Sequence, residues 1–129
     1  MHLERYGDVV ASFMTPLLNR LLGHPTDLAA IVSPAGPSVT YGALDARSAE
    51  IATRLLAGRA SLNGDRVALL LPPGEAFVAT VLGIWRAGGV AVPLSALHTV
   101  PELEHILTTA APVTTVVDPA LAASLDLVV

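Results

Sequence analysis

The feature that most constrains the fold is an alternation. Short apolar or β-branched runs (Val67-Ala68-Leu69-Leu70-Leu71, Val90-Ala91-Val92 and Val113-Thr114-Thr115-Val116-Val117) are separated by stretches with helical periodicity. A strand without polar alternation has no solvent face, so it needs cover on both sides. Strands that alternate with helical segments predict right-handed βαβ units and a mostly parallel sheet.

Glycine and proline set the boundaries. Asn63-Gly64-Asp65 turns the chain into Arg66–Leu71, and Pro72-Pro73-Gly74 stops that strand. From Glu75 to Ala87 the chain is helical, with Phe77, Val78, Val81, Leu82, Ile84 and Trp85 apolar around more than half the circumference. Such a helix is expected to be covered on two sides. Gly88-Gly89 ends it, and Val90–Val92 reads as a second buried strand closed by Pro93. Thr99-Val100-Pro101-Glu102 spells a capping box with proline in the first turn. The helix that follows turns Leu103, Ile106 and Leu107 inward, and Pro112 separates it from the strand Val113–Val117. Asp118-Pro119 opens a last short helix to about Ser124, and Leu127-Val128-Val129 reads as the start of one more strand.

Upstream the pattern differs. Val9, Val10, Phe13, Leu17, Leu18, Leu21 and Leu22 recur at helical spacing, and Thr15-Pro16 reads as an N-cap with proline at the first helical position, so the segment is one helix broken there, or a loose turn and then a helix of about two turns, with Gly23 as the stop. Leu28–Val32 and Ser38–Thr40 flank the turn-dense Ser33–Pro37, which predicts a small hairpin. Thr40 then caps an amphipathic helix that Gly58 ends, with Leu44, Ser48, Ile51, Ala52 and Leu55 on one face. No internal repeat, linker or low-complexity tract divides the 129 residues. The fold class expected is therefore α/β, with alternating βαβ units, a mostly parallel sheet and a small N-terminal hairpin.

Composition removes several chemistries. The seven basic residues are all arginine, eleven acidic residues bring the net charge to −4, and there is no cysteine. Without lysine there is no Schiff base and no Walker-type phosphate lysine. Without cysteine there is no disulfide, thiolate nucleophile or Cys-ligated zinc. A mildly acidic chain also lacks the basic face that nucleic acid requires. The chain is 53% hydrophobic, but a spanning helix needs about 20 consecutive apolar residues. Its charge-free stretches, Leu28–Leu44 and Ala87–Pro101, are broken by glycine and proline. The surplus apolar side chains point to buried strands, or to surface meant for another domain.

No reaction centre emerges from the residues alone. Neither G-x-G-x-x-G, nor a P-loop, nor G-x-S-x-G occurs. Gly83, Gly88 and Gly89 surround a helix end, where capping and close packing outweigh phosphate binding. His98 and His105 lie seven apart with Glu102 between them, but ordinary surface histidines are the preferred reading over a metal site. Glu102 and Glu104 read as a solvated first turn favoured by the helix dipole.

Two segments carry a resemblance. Ser38-Val39-Thr40-Tyr41-Gly42-Ala43-Leu44-Asp45 resembles the first core motif of the adenylate-forming enzymes, which include acyl-CoA synthetases, adenylation domains of nonribosomal peptide synthetases, and luciferases. Trp85-Arg86-Ala87-Gly88-Gly89-Val90-Ala91-Val92-Pro93-Leu94-Ser95 resembles the second. Between them, Gly64–Pro72 is similar to the family's strand into its first helix pair, and Pro101–Leu107 with Pro112 and the Val-rich strand also fits. The Gly88–Leu94 string with His98 soon after is most similar to acyl-CoA synthetases for small diacids of the malonyl or methylmalonyl type. The motif residues Thr40, Tyr41, Leu44, Gly64, Asp65, Gly88, Gly89, Pro93 and Leu94 are assigned structural roles. Thr40 caps a helix and Tyr41 anchors its first turn on the sheet. Ala43 replaces the family's usual Glu, losing half a capping box at a cost of about 0.5 kcal/mol. Arg86 stands where lysine is common and keeps the charge at a helix C-terminus.

The resemblance implies that residues 1–129 are the N-terminal portion of an AMP-binding domain, part of the large N-terminal domain of the fold. The family's ATP loop, acyl pocket and C-terminal domain have no counterpart in these residues. The parent would be a cytoplasmic acid–thiol ligase that uses ATP, Mg and CoA on a small carboxylic acid. This chain would hold none of the cofactors and no catalytic or metal-binding residue. Its partner would be the remainder of the same enzyme, with neither nucleic acid nor membrane. A second reading is a stand-alone α/β module, derived from such an enzyme, that binds a protein or self-associates through exposed apolar surface and an open sheet edge. A third, a doubly wound nucleotide sensor, is disfavoured by the absence of a glycine-rich strand-to-helix turn.

Overall fold

Backbone pairing follows the apolar runs. In the computed structural model, which describes residues 16–126, β3 (Arg66–Leu70) lies between β4 (Val90–Pro93) and β5 (Thr114–Val117). Both pairings are parallel, from Arg66 beside Val90 to Leu69 beside Pro93, and from Val67 beside Thr114 to Leu70 beside Val117. Helix α3 (Glu75–Arg86) links β3 to β4, and α4 (Val100–Ala110) carries the chain back across β3 to β5. The two crossovers run in opposite directions along the sheet, so right-handed connections place their helices on opposite faces.

The alternation of side chains along β3 shows this. Val67 and Leu69 pack with Phe77, Val81, Ile84 and Ala87 of the α3 layer. Ala68 and Leu70 pack with Leu103, Ile106, Leu107, Leu121 and Leu125. None of Val67, Ala68, Leu69 and Leu70 is more than 1% exposed. Burying each leucine stabilises the fold by about 1.5–3 kcal/mol.

A second unit packs on the far side of α3. It comprises α1 (helical over residues 16–22), a hairpin of β1 (Ala29–Ile31) and β2 (Val39–Thr40), and α2 (Tyr41–Leu56). Leu18 and Leu44 meet Ala79 and Leu82 there, with Ile31, Val39, Ile51 and Trp85 around them. Helix α3 is thus covered on two sides, as its periodicity requires. Helices α2 and α3 approach closely at Gly83, where a Cβ would lie 2.7 Å from Ile51 Cγ2 and 3.0 Å from the Ser48 carbonyl oxygen. Past β5, a 3-10 turn (Pro119–Leu121) leads into α5 (Ala122–Asp126), with the Asp118 carboxylate accepting from the Ala120 N–H at 2.8 Å.

Two expectations change. Val90–Val92 is an edge strand among the described residues: Val90 is exposed, and Ala91 and Val92 are half-buried. An apolar run reports that a strand wants cover but not which neighbours supply it. The helix after Thr40 ends with Ala57 in the left-handed conformation at φ 48°, one residue before Gly58. The helical pattern before Thr15 and the strand expected at Leu127–Val129 lie outside the described residues.

Candidate functional site at the carboxyl ends of the strands

The topology designates one place on this sheet. After β3 the chain leaves toward the α3 face, and after β4 toward the α4 face. In open parallel sheets a crevice forms at such a switch point, outside the carboxyl ends of the strands. A cleft of about 470 Å³ opens there, bounded by Leu71, Pro72 and Pro73 after β3, by Leu94 to Leu97 after β4, and by Phe77 and Leu121. Its volume is in the range of small-molecule sites.

Its chemistry is narrow. All lining side chains are apolar except Ser95, whose hydroxyl accepts the Leu97 N–H at 3.1 Å. The wall is tied to the sheet by the Leu94 N–H, which donates to the Leu69 carbonyl at 2.8 Å. A triphosphate does not fit these residues. The turn into α3 is Pro72-Pro73-Gly74, whose prolines have no N–H to offer, and Glu75 puts a carboxylate in the first turn. No basic side chain lines the cleft. Among the described residues, no three His, Asp or Glu side chains converge as metal ligands.

Beside the cleft, the α4 cap is ordered by its own sequence. The Thr99 hydroxyl accepts the Glu102 N–H at 3.4 Å, and the Glu102 carboxylate accepts the Thr99 N–H at 2.7 Å. That backbone donor, followed by the Thr99 hydroxyl, outweighs desolvation and holds the Glu102 carboxyl below its ordinary value of 4.5, with the nearby His98 adding a lesser effect in the same direction. His98 Nδ1 accepts the Ser95 N–H at 3.1 Å. His105 shares a shallow depression with His98 and Glu102.

The motif residues gather at two places away from the cleft, and two of them adjoin it. Thr40 caps α2 by accepting the Ala43 N–H at 3.1 Å, and Leu44 is buried against α3. The Tyr41 ring lies not on the parallel sheet but against His24, with ring centroids 4.6 Å apart, above the hairpin and α1. Its N–H, committed to the Leu28 carbonyl at 2.9 Å, fixes that position. Gly64, Asp65, Gly88 and Gly89 come together at the amino ends of β3 and β4. There the Gly64 N–H donates to Gly88 O at 2.8 Å, and the Val90 N–H donates to Asp65 O at 2.9 Å. Gly88 has φ +80°, and a Cβ on it would meet Ser61 Oγ at 2.5 Å, so the bend admits only glycine. Pro93 and Leu94 end β4 at the cleft. Sequence reasoning missed the cleft lining at Leu71, Phe77, Ala96, Leu97 and Leu121. The available signal was topological: two consecutive strand ends whose loops leave for opposite faces.

These features define a class of protein: an α/β scaffold with the two core motifs of adenylate-forming enzymes placed at its structural joints. A family model described as AMP-binding enzyme matches residues 19–128, and the chain belongs to that family. Among individual relatives, it is 35% identical over 86 residues to a malonate–CoA ligase of Arabidopsis thaliana, covering 56% of this chain and 14% of that protein. The apo structure of MatB from Rhodopseudomonas palustris superposes with a TM-score of 0.71 at 32% identity, over 87% of this chain and 24% of that one. The N-terminal domain of FACL13 from Mycobacterium tuberculosis gives 0.75 at 30% identity, over 88% of this chain and 29% of that one. The chain thus spans less than a third of the malonate–CoA ligase and of each of these solved chains.

Proposed function

We propose that this chain supplies part of the N-terminal scaffold of an acid–thiol ligase of the acyl-CoA synthetase type. The match of residues 19–128 to AMP-binding enzymes carries the reading. In the parent reaction a carboxylate attacks ATP to give an acyl-adenylate and pyrophosphate. A thiol such as that of CoA then takes the acyl group and releases AMP. ATP, Mg and CoA belong to that parent, and the remainder of the same enzyme is the partner of this chain. A small diacid as substrate is supported by the Gly88–Leu94 string and by the likeness to a malonate–CoA ligase. Cytoplasmic residence accords with the absence of cysteine, and no described helix is long and apolar enough to cross a membrane.

Within that reading these residues position rather than react. Gly64, Asp65, Gly88 and Gly89 fix the amino ends of β3 and β4. Thr40 and Leu44 fix α2 against α3. Purified 1–129 is expected to show no carboxylate-dependent exchange of pyrophosphate into ATP above a protein-free control. Exchange that depends on both the chain and a carboxylate would overturn the scaffold reading.

A further inference from the structure

Leu94–Leu97 form one wall of the cleft, and the turn Ser95–His98 beside it is closed by three hydrogen bonds, one of them to an imidazole nitrogen. The His98 N–H donates to the Ser95 carbonyl at 3.1 Å, and the Leu97 N–H donates to the Ser95 hydroxyl at 3.1 Å. The third link runs the other way, with the Ser95 N–H donating to His98 Nδ1 at 3.1 Å. A ring nitrogen can accept only while it carries no proton. In this arrangement the neutral ring therefore carries its hydrogen on Nε2. The titratable groups that face His98 are Glu102 and His105, both from α4, and Ser95 faces it from the loop.

We propose that His98 is a pH-sensitive latch on the cleft wall. With Nδ1 unprotonated it holds the Ser95 N–H. Uptake of one proton from solvent at Nδ1 sets two donors against each other and releases that N–H. The resulting imidazolium is drawn toward the Glu102 carboxylate, which lies close enough for the two charges to interact. Ala96 and Leu97, which form the wall, lose one of the three links that close their turn. Protonation of the ring is thus the event that works the latch, because a protonated Nδ1 has no lone pair left to accept the Ser95 N–H.

The test is a pH titration of the 129-residue chain followed by backbone amide and imidazole nitrogen NMR. The Ser95 and Leu97 amides are expected to shift together with the His98 ring. Exchange of the Ser95 amide, corrected for intrinsic rates, should be roughly fivefold faster on the acid side, the loss expected of one net hydrogen bond. In His98→Asn the Oδ1 replaces the acceptor without titrating, so the Ser95 amide should be protected and pH-independent. In His98→Ala it should be unprotected throughout. A Ser95 amide indifferent to the wild-type His98 titration would overturn the proposal. So would an unchanged Ser95 titration in His98→Asn.

Discussion

At the scale of single residues, Arg86 and Glu102 show how much one side chain settles here. Arg86 Nη1 donates to the Asp45 carboxylate at 2.6 Å, to the Asp45 carbonyl at 3.1 Å and to Ser48 Oγ at 2.7 Å. The hydroxyl it meets is fully buried and donates in turn to the Asp45 carbonyl at 2.9 Å. The sequence suggested only a positive charge near a helix end. The structure makes Arg86 a polar clamp between α3 and α2, with all three contacts made by the one nitrogen Nη1. Glu102 carries a pH dependence. Its folded-state pKa lies below the ordinary carboxylate value, so its contribution to stability is fully present above that value and disappears as pH falls through the folded one. Glu102→Gln keeps a neutral acceptor for the Thr99 N–H but does not titrate. The stability gap between wild type and Glu102→Gln, measured by urea unfolding across the acid range, should be largest near neutrality and close below about pH 4.5. A gap that widens on acidification would contradict the assignment.

At the scale of elements, the contact between α2 and α3 joins the hairpin unit to the sheet unit, and Gly83 sets how near the helices come. Ile51 is β-branched and the Ser48 carbonyl is backbone, so neither neighbour yields easily to an added side chain. Gly83→Val should destabilise the chain by about 2–3 kcal/mol, the upper part of the usual range for overpacking. Equilibrium denaturation reads this directly, and an unchanged midpoint would mean that the helices are not in register at Gly83.

Most elements were legible in the sequence because their signals are local. The Thr99–Glu102 box, the Thr40 cap and the unbroken apolar run of β3 each specify their own geometry. What was not legible depends on partners far along the chain. Tyr41 finds His24 because its backbone is held by Leu28. Ala57 takes the left-handed conformation together with Gly58, at φ 48° and 89°, because the last helical hydrogen bond, from the Ala57 N–H to the Thr53 carbonyl, closes one residue before the glycine. Val90 becomes an edge residue because the described sheet ends at β4. The cleft has no local signature, since it exists only where two loops part.

At the scale of the whole molecule, several large apolar side chains stand on the described surface. Val32, Leu97 and Val113 are 72%, 93% and 60% exposed. Both outer strands of the three-stranded sheet are edges among the described residues. Such a surface suits a piece of a larger assembly. It accords with a family match whose solved members extend far beyond the length covered here. The proposed scaffold role implies that these residues do not themselves hold the nucleotide of an AMP-binding enzyme. Titration of the 129-residue chain with Mg·ATP, followed by backbone amide NMR, tests it most directly. No saturable shift is expected at any amide. Saturable shifts clustered at Leu71–Glu75 and Ser95–His98 would place a nucleotide in the switch-point cleft and contradict it.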